Sequence, residues 1–141
     1  MRTEIIRKKI AEIQESLEIL RDNLPESLPE FESLGLVKDG MYKRIEFCIE
    51  SVFDICAIIN TDQRLGMPRS DTDILDILVK NGVFDEKMKS KLKSMKGFRN
   101  ILVHRYAGID EGLSYEFLNE NLGDFDEFIA KITKYLNEHG K

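Results

Sequence analysis

Apolar residues at Ile6, Ile10, Ile13, Leu17, Leu20 and Leu24 are spaced 4-3-4-3-4, the signature of a helix that buries one narrow stripe. The pattern predicts a helix over residues 3–23, ended by Pro25 and Pro29, and a loop to Lys38. Gly40 precedes a different pattern. Residues 41–60 carry Ile45, Phe47, Ile49, Val52, Phe53, Ile55, Ile58 and Ile59, and so are apolar over most of the circumference. A helix of that kind belongs at the centre of a fold. The stretch "TDQRLGMPRSDTD" then reads as a loop closing in Ser70-x-x-Asp73, a capping box with Asp in place of Glu or Gln.

A short helix over 72–80 is expected to stop at Asn81-Gly82. Asp85 is placed to cap a basic helix that runs into "GFRNILVHRY" at 97–106, and Gly108 and Gly112 mark the break after it. Leu118, Leu122, Phe125, Ile129, Ile132 and Leu136 repeat the 4-3-4-3-4 spacing, which predicts one last helix over about 114–138, mildly weakened by Gly123. No segment sustains the period-two alternation of a strand. The expected architecture is all-α: an up-and-down bundle of four main helices plus a short one, a single domain spanning 1–141.

Composition adds limits to that picture. At 141 residues, 33% charged and 42% hydrophobic, the chain reads as a soluble globular protein. Arg7-Lys8-Lys9 interrupts the first apolar run, so no signal-peptide core is expected. No run is long enough for a membrane span, and a cytoplasmic location is expected. Cys48 and Cys56 lie about 12 Å apart along a helix axis, too far for a disulfide, and are read as core residues. With two histidines in the chain, His104 and His139, there is no zinc constellation, and no metal or cofactor is expected.

The net charge of −5 argues against a nucleic-acid partner, but its distribution does not. Seven basic residues (Lys87, Lys89, Lys91, Lys93, Lys96, Arg99, Arg105) and no acid fall between 87 and 105, which leaves the rest of the chain at −12. This run is either a solvated lysine face or a local positive field for a polyanion.

Three groups in "GFRNILVHRY" are awkward to bury. At about 100° per residue, Phe98, Ile101 and Leu102 share the core face. Arg99 and Tyr106 share a second face with Val103 between them, and Asn100 and His104 share a third. Arg99 and His104 are then about 140° apart, so one regular helix cannot aim both at one atom. Either the helix breaks before His104 or a second chain completes the site. Arginine grips phosphate with a planar fork that stays charged. Histidine moves protons near neutral pH. Tyrosine offers a ring to stack on and a hydroxyl open to modification. The set suits metal-free RNA cleavage, in which a 2′-hydroxyl attacks the adjacent phosphate. A two-fold dimer would supply a second histidine and arginine.

R-x4-H-x-Y is not specific by itself. "FRNILVHRY" followed by "AGID", with "IEFCIESVFDICAIIN", "GMPRSDTDILDILVKNGVF" and "LSYEFLNENLGDFDEFIAKI", resembles the HepT-like branch of the HEPN (higher eukaryotes and prokaryotes nucleotide-binding) superfamily over most of the chain. The resemblance implies a helical homodimer acting as a ribonuclease toxin. It also implies a partner, an MntA-type nucleotidyltransferase antitoxin that silences the toxin by adding AMP to the motif tyrosine. Carried over by position, Arg99 and His104 are catalytic, Tyr106 is the AMP acceptor and Asn100 is supporting. Lys93, Lys96 and Arg105 are candidates for RNA contact. A non-catalytic HEPN module that pairs with a nucleotidyltransferase is the alternative, and a plain structural bundle a third. On the central helix, Glu46, Glu50 and Asp54 form an acidic row. It is either a solvated strip or a support in which a half-buried Asp54 orients Arg99 or another basic group. Tyr42, Tyr115 and Tyr135 are expected to pack with wet hydroxyls.

Overall fold

The computed structural model describes residues 1–103 and 108–140. Among them are seven helices and no strand: α1 Thr3–Asn23, α2 Leu28–Glu32, α3 Leu36–Gln63, α4 Asp71–Lys80, α5 Glu86–Val103, α6 Glu111–Glu120 and α7 Leu122–His139. The four long helices close a ring in which α1 packs on α3, α3 on α5, α5 on α7, and α7 back on α1. The four-helix expectation holds, with three short helices in place of one. The loop expected between Pro25 and Lys38 contains α2, whose N-cap Ser27 hydroxyl accepts from Glu30 N–H and whose first turn holds Pro29. A five-residue helix carries too few apolar positions to register as a period.

The central helix is buried as its composition requires. Ile45, Ile49, Val52, Ile55, Cys56 and Ile59 are inaccessible to solvent. The helix emerges along one stripe, Lys43, Phe47, Glu50, Asp54 and Ala57, a 4-3-4-3 progression complementary to the buried face.

Turn chemistry follows the sequence closely. Asp73 N–H donates to the Ser70 hydroxyl, while the Asp73 carboxylate accepts from Arg69 N–H, one residue earlier than a standard box. Gly82 (φ +74°) follows α4, with Gly82 N–H donating to the Val79 carbonyl and Val83 N–H to the Leu78 carbonyl, a Schellman stop. Met88 N–H donates to Asp85 Oδ1 at the start of α5.

Three expectations are corrected. The single C-terminal helix is two, broken at Asn121. Every member of the predicted stripe is nonetheless buried. Asn121 keeps near-helical dihedrals (φ −110°, ψ −1°), so the angular progression survives and the periodicity cannot register the interruption. Ile101 is exposed rather than part of the core face, which Phe98 and Leu102 form. The hydroxyl of Tyr42 is not wet: its Oη is buried with no hydrogen-bond partner among the described residues, whereas Tyr115, half-buried, donates to the Pro25 carbonyl at 2.7 Å.

Arg2 ties the start of α1 to the end of α3 through bonds from its backbone N–H and guanidinium to Asp62. The guanidinium and then the backbone N–H hold the Asp62 carboxyl down at about 2. A carboxyl depressed in the folded state stabilises it above the ordinary carboxyl range, and that contribution fades as pH falls from about 4 toward 2. Asp62→Asn is therefore expected to flatten the acid limb of the unfolding midpoint between those values, read by circular dichroism. Ile55→Ala, in the solvent-free centre of α3, is expected to cost about 2–5 kcal/mol in urea unfolding. Leu36→Ala, at a side chain 87% exposed, should stay within about 0.5 kcal/mol.

Candidate functional site

Arg99 reaches the surface because the apolar face of α5 is committed elsewhere. Met88, Leu92, Met95, Phe98 and Leu102 are buried, which turns Lys96, Arg99 and Val103 toward the exposed stripe of α3. The residues on the two helices run in opposite directions. Arg99 meets Glu50, Lys96 meets Asp71 of α4, and with Phe53, Asp54 and Ala57 they line a cleft of about 310 Å³. Phe47 of α3 and Val103 of α5 are exposed; Phe47 borders a separate groove with Glu12, Glu15 and Ser16 of α1.

The cleft holds three carboxylates (Glu50, Asp54, Asp71) and two cations (Lys96, Arg99). Each acid has a basic partner. Glu50 Oε1 accepts from Arg99 Nη2 at 3.1 Å and from Nε at 3.4 Å. Asp71 pairs with Lys96 at 3.4 Å, and Asp54 with Lys9 of α1 at 3.5 Å. Arg99 is 33% exposed and Glu50 45%, and a pair that open contributes up to about 1 kcal/mol. Its strength is low enough for a phosphate to share or displace it. Arg99 can therefore hold an anion in this cleft.

Asp54 is not half-buried: its side chain is 60% exposed and meets Lys9. The carboxylate on Arg99 is Glu50, the neighbour in the same acidic row. Part of the signal was present, since Glu50 faces outward from an otherwise buried helix and Arg99 lies off the apolar face of α5. What sequence could not supply was the relative rotation of the two helices. Glu46 pairs along its own helix with Lys43.

The basic run is not an unopposed field. Lys89 pairs with Asp76 of α4 and Lys91 with Glu127 and Asp124 of α7, so acids from three helices sit against the run. Those bonds raise the pKa values of Lys89 and Lys91 and keep both charged. Lys87 and Lys93 are exposed, as is Asn100. His104, Arg105 and Tyr106 lie outside the described residues, so the expectations on those three positions, and on the helix at His104, are not addressed by the geometry. Both cysteines are free and buried. Burial pushes the Cys48 thiol up to about 11 and the Cys56 thiol higher still, so neither is a nucleophile near neutral pH. Among the described residues no cluster of three His, Cys, Asp or Glu side chains could hold a metal ion, and no helix is long and apolar enough to cross a membrane.

Comparison with known proteins gives the family and the fold. The chain is 30% identical over 129 residues to the mRNA nuclease HepT of Shewanella oneidensis, covering 92% of this chain and 96% of that one. Its fold superposes with a TM-score of 0.83 on the tri-AMPylated Shewanella oneidensis HEPN toxin in complex with MNT antitoxin, at 29% identity, covering 92% of this chain and 97% of the toxin. A crystal structure of a mutant MntA–HpeT toxin–antitoxin complex gives 0.84 at 28% identity, covering 92% and 98%. Residues 13–132 match the family model described as Ribonuclease HepT-like, and the chain belongs to the HepT-like ribonuclease family.

Proposed function

We propose that this protein is a ribonuclease toxin that cleaves RNA without a metal ion and is silenced when an MntA-type nucleotidyltransferase adds AMP to Tyr106. The observation that carries the reading is Arg99, a guanidinium at the mouth of the α3–α5 cleft held by a weak, exposed carboxylate pair. In the sequence it stands first in R-x4-H-x-Y, the pattern that the family resemblance reads as catalytic. In this reading the 2′-oxygen attacks the adjacent phosphorus, and His104 moves the proton. The bond from phosphorus to the 5′-oxygen breaks, and that oxygen leaves with a proton. Arg99 offsets the charge that builds on the phosphate oxygens. Lys93, Lys96 and Arg105 contribute backbone contacts, and Asn100 supports the arginine from the next face.

A two-fold homodimer is part of the proposal. What supports it is the exposure of two apolar side chains, Phe47 on α3 and Val103 on α5, together with the need for both a proton acceptor and a proton donor around one phosphate. A second copy would add a second His104. A cytoplasmic setting, where RNA and the nucleotidyltransferase meet, completes it. Adenylylation would bring a bulky, negatively charged group to the place a substrate phosphate must enter.

The non-catalytic alternative is favoured by the acids that neutralise most of the basic run. Cleavage separates the two. Purified protein is expected to cut RNA in the presence of EDTA, with His104→Ala and Arg99→Ala each lowering the rate about 100-fold or more. Intact RNA in that assay would hand the chain to the binding-module reading. Co-expression with the nucleotidyltransferase is expected to add the mass of one or more AMP groups. Tyr106→Phe should abolish the addition by intact-mass measurement, and modification at another residue would refute the assignment.

A further inference from the structure

We propose that Glu50 is a positioning residue for Arg99, occupying one edge of its guanidinium so that the other edge is presented to a substrate phosphate. The inference rests on the ribonuclease reading and adds to it a side chain from α3, outside the motif.

The two hydrogen bonds carry the argument. A single oxygen, Glu50 Oε1, accepts from both Nε and Nη2 of Arg99, and Nη1 takes no part in either bond. A guanidinium has five N–H donors. Two point to Glu50; of the three that remain, one on Nη1 and one on Nη2 form a second edge that matches two phosphate oxygens in parallel, and the last points back along the side chain. Glu50 therefore selects which edge stays open without consuming it. Had the carboxylate engaged Nη1 and Nη2, it would compete with phosphate directly.

The surroundings make such a hold necessary. Arginine is long and has many rotamers, and this cleft offers it two other carboxylates. Asp54 and Asp71 are each matched to a lysine of their own, Lys9 and Lys96. Glu50 is thus the acid assigned to Arg99. Its backbone is fixed by α3, whose neighbouring Ile49 and Ser51 are buried, so the anchor is rigid although the carboxylate is exposed.

Positioning and repulsion predict opposite kinetics. Steady-state cleavage of a short single-stranded RNA with a fluorophore and quencher is the measurement. Glu50→Ala is expected to lower kcat about tenfold. KM should hold or fall, because the cleft loses a negative charge. Glu50→Gln, whose Oε1 still accepts a hydrogen bond, should recover most of kcat. An Ala variant with unchanged or raised kcat overturns the proposal, as does a Gln variant no better than Ala. The Ala variant is expected to melt with the wild type; if it does not, Glu50→Asp, one methylene short of Arg99, carries the same expectation. If wild-type protein leaves RNA intact, the ribonuclease reading has failed, and the Arg99 Nε–H resonance decides the pairing separately. A resonance protected in wild type and lost in Glu50→Ala supports the hold. One already averaged with solvent in wild type overturns it.

Discussion

A helix apolar on nearly all sides must be surrounded, and α3 sets that requirement for the molecule. Its solvent-free isoleucines leave water, along the middle of the helix, the stripe through Phe47, Glu50, Asp54 and Ala57, with Lys43 and Arg44 exposed before it. With α1 and α4 also packed on α3, α5 must settle so that its own apolar face points inward and its polar face borders that stripe. The cleft is the seam where the buried face of α3 and the apolar face of α5 both end. Arg99 and Glu50 meet there because neither can be accommodated anywhere deeper.

Charge in this protein is local. Along the chain, residues 87–105 form the one long stretch without an acid. In space, Glu127 and Asp124 from α7, Asp76 and Asp71 from α4 and Glu50 from α3 lie against it. The far field of a polyanion-binding face is thereby reduced. What remains is a set of short-range, exposed pairs that an incoming phosphate can reorganise at small cost. Such a site works on contact with substrate more than by attraction from a distance, and its salt dependence should come from few groups.

The elements that sequence made legible are those with strong local causes. The first helix ends where expected because Leu24 is extended before Pro25. The Ser70, Asn81-Gly82 and Asp85 signals act within four residues, through bonds between backbone N–H groups and nearby acceptors. The errors share another character. The break at Asn121 preserves the angular period, α2 is too short to have one, and the choice between Asp54 and Glu50 depends on how far α3 is rotated against α5. In each case no local preference distinguishes the outcomes.

The sequence by itself determined that the chain is helical, which four helices are long, which of them is central, and that an arginine, a histidine and a tyrosine occupy a motif of the HepT-like family. The helices follow from periodicity, a property of neighbours along the chain, and the reading of the motif follows from resemblance to the family. Only the tertiary structure decided that Arg99 is partnered by Glu50 and that the basic run is interleaved with acids. Such pairings join residues tens of positions apart. Their geometry is set by packing the buried faces, which fixes the position of every polar group at the surface without reading its charge.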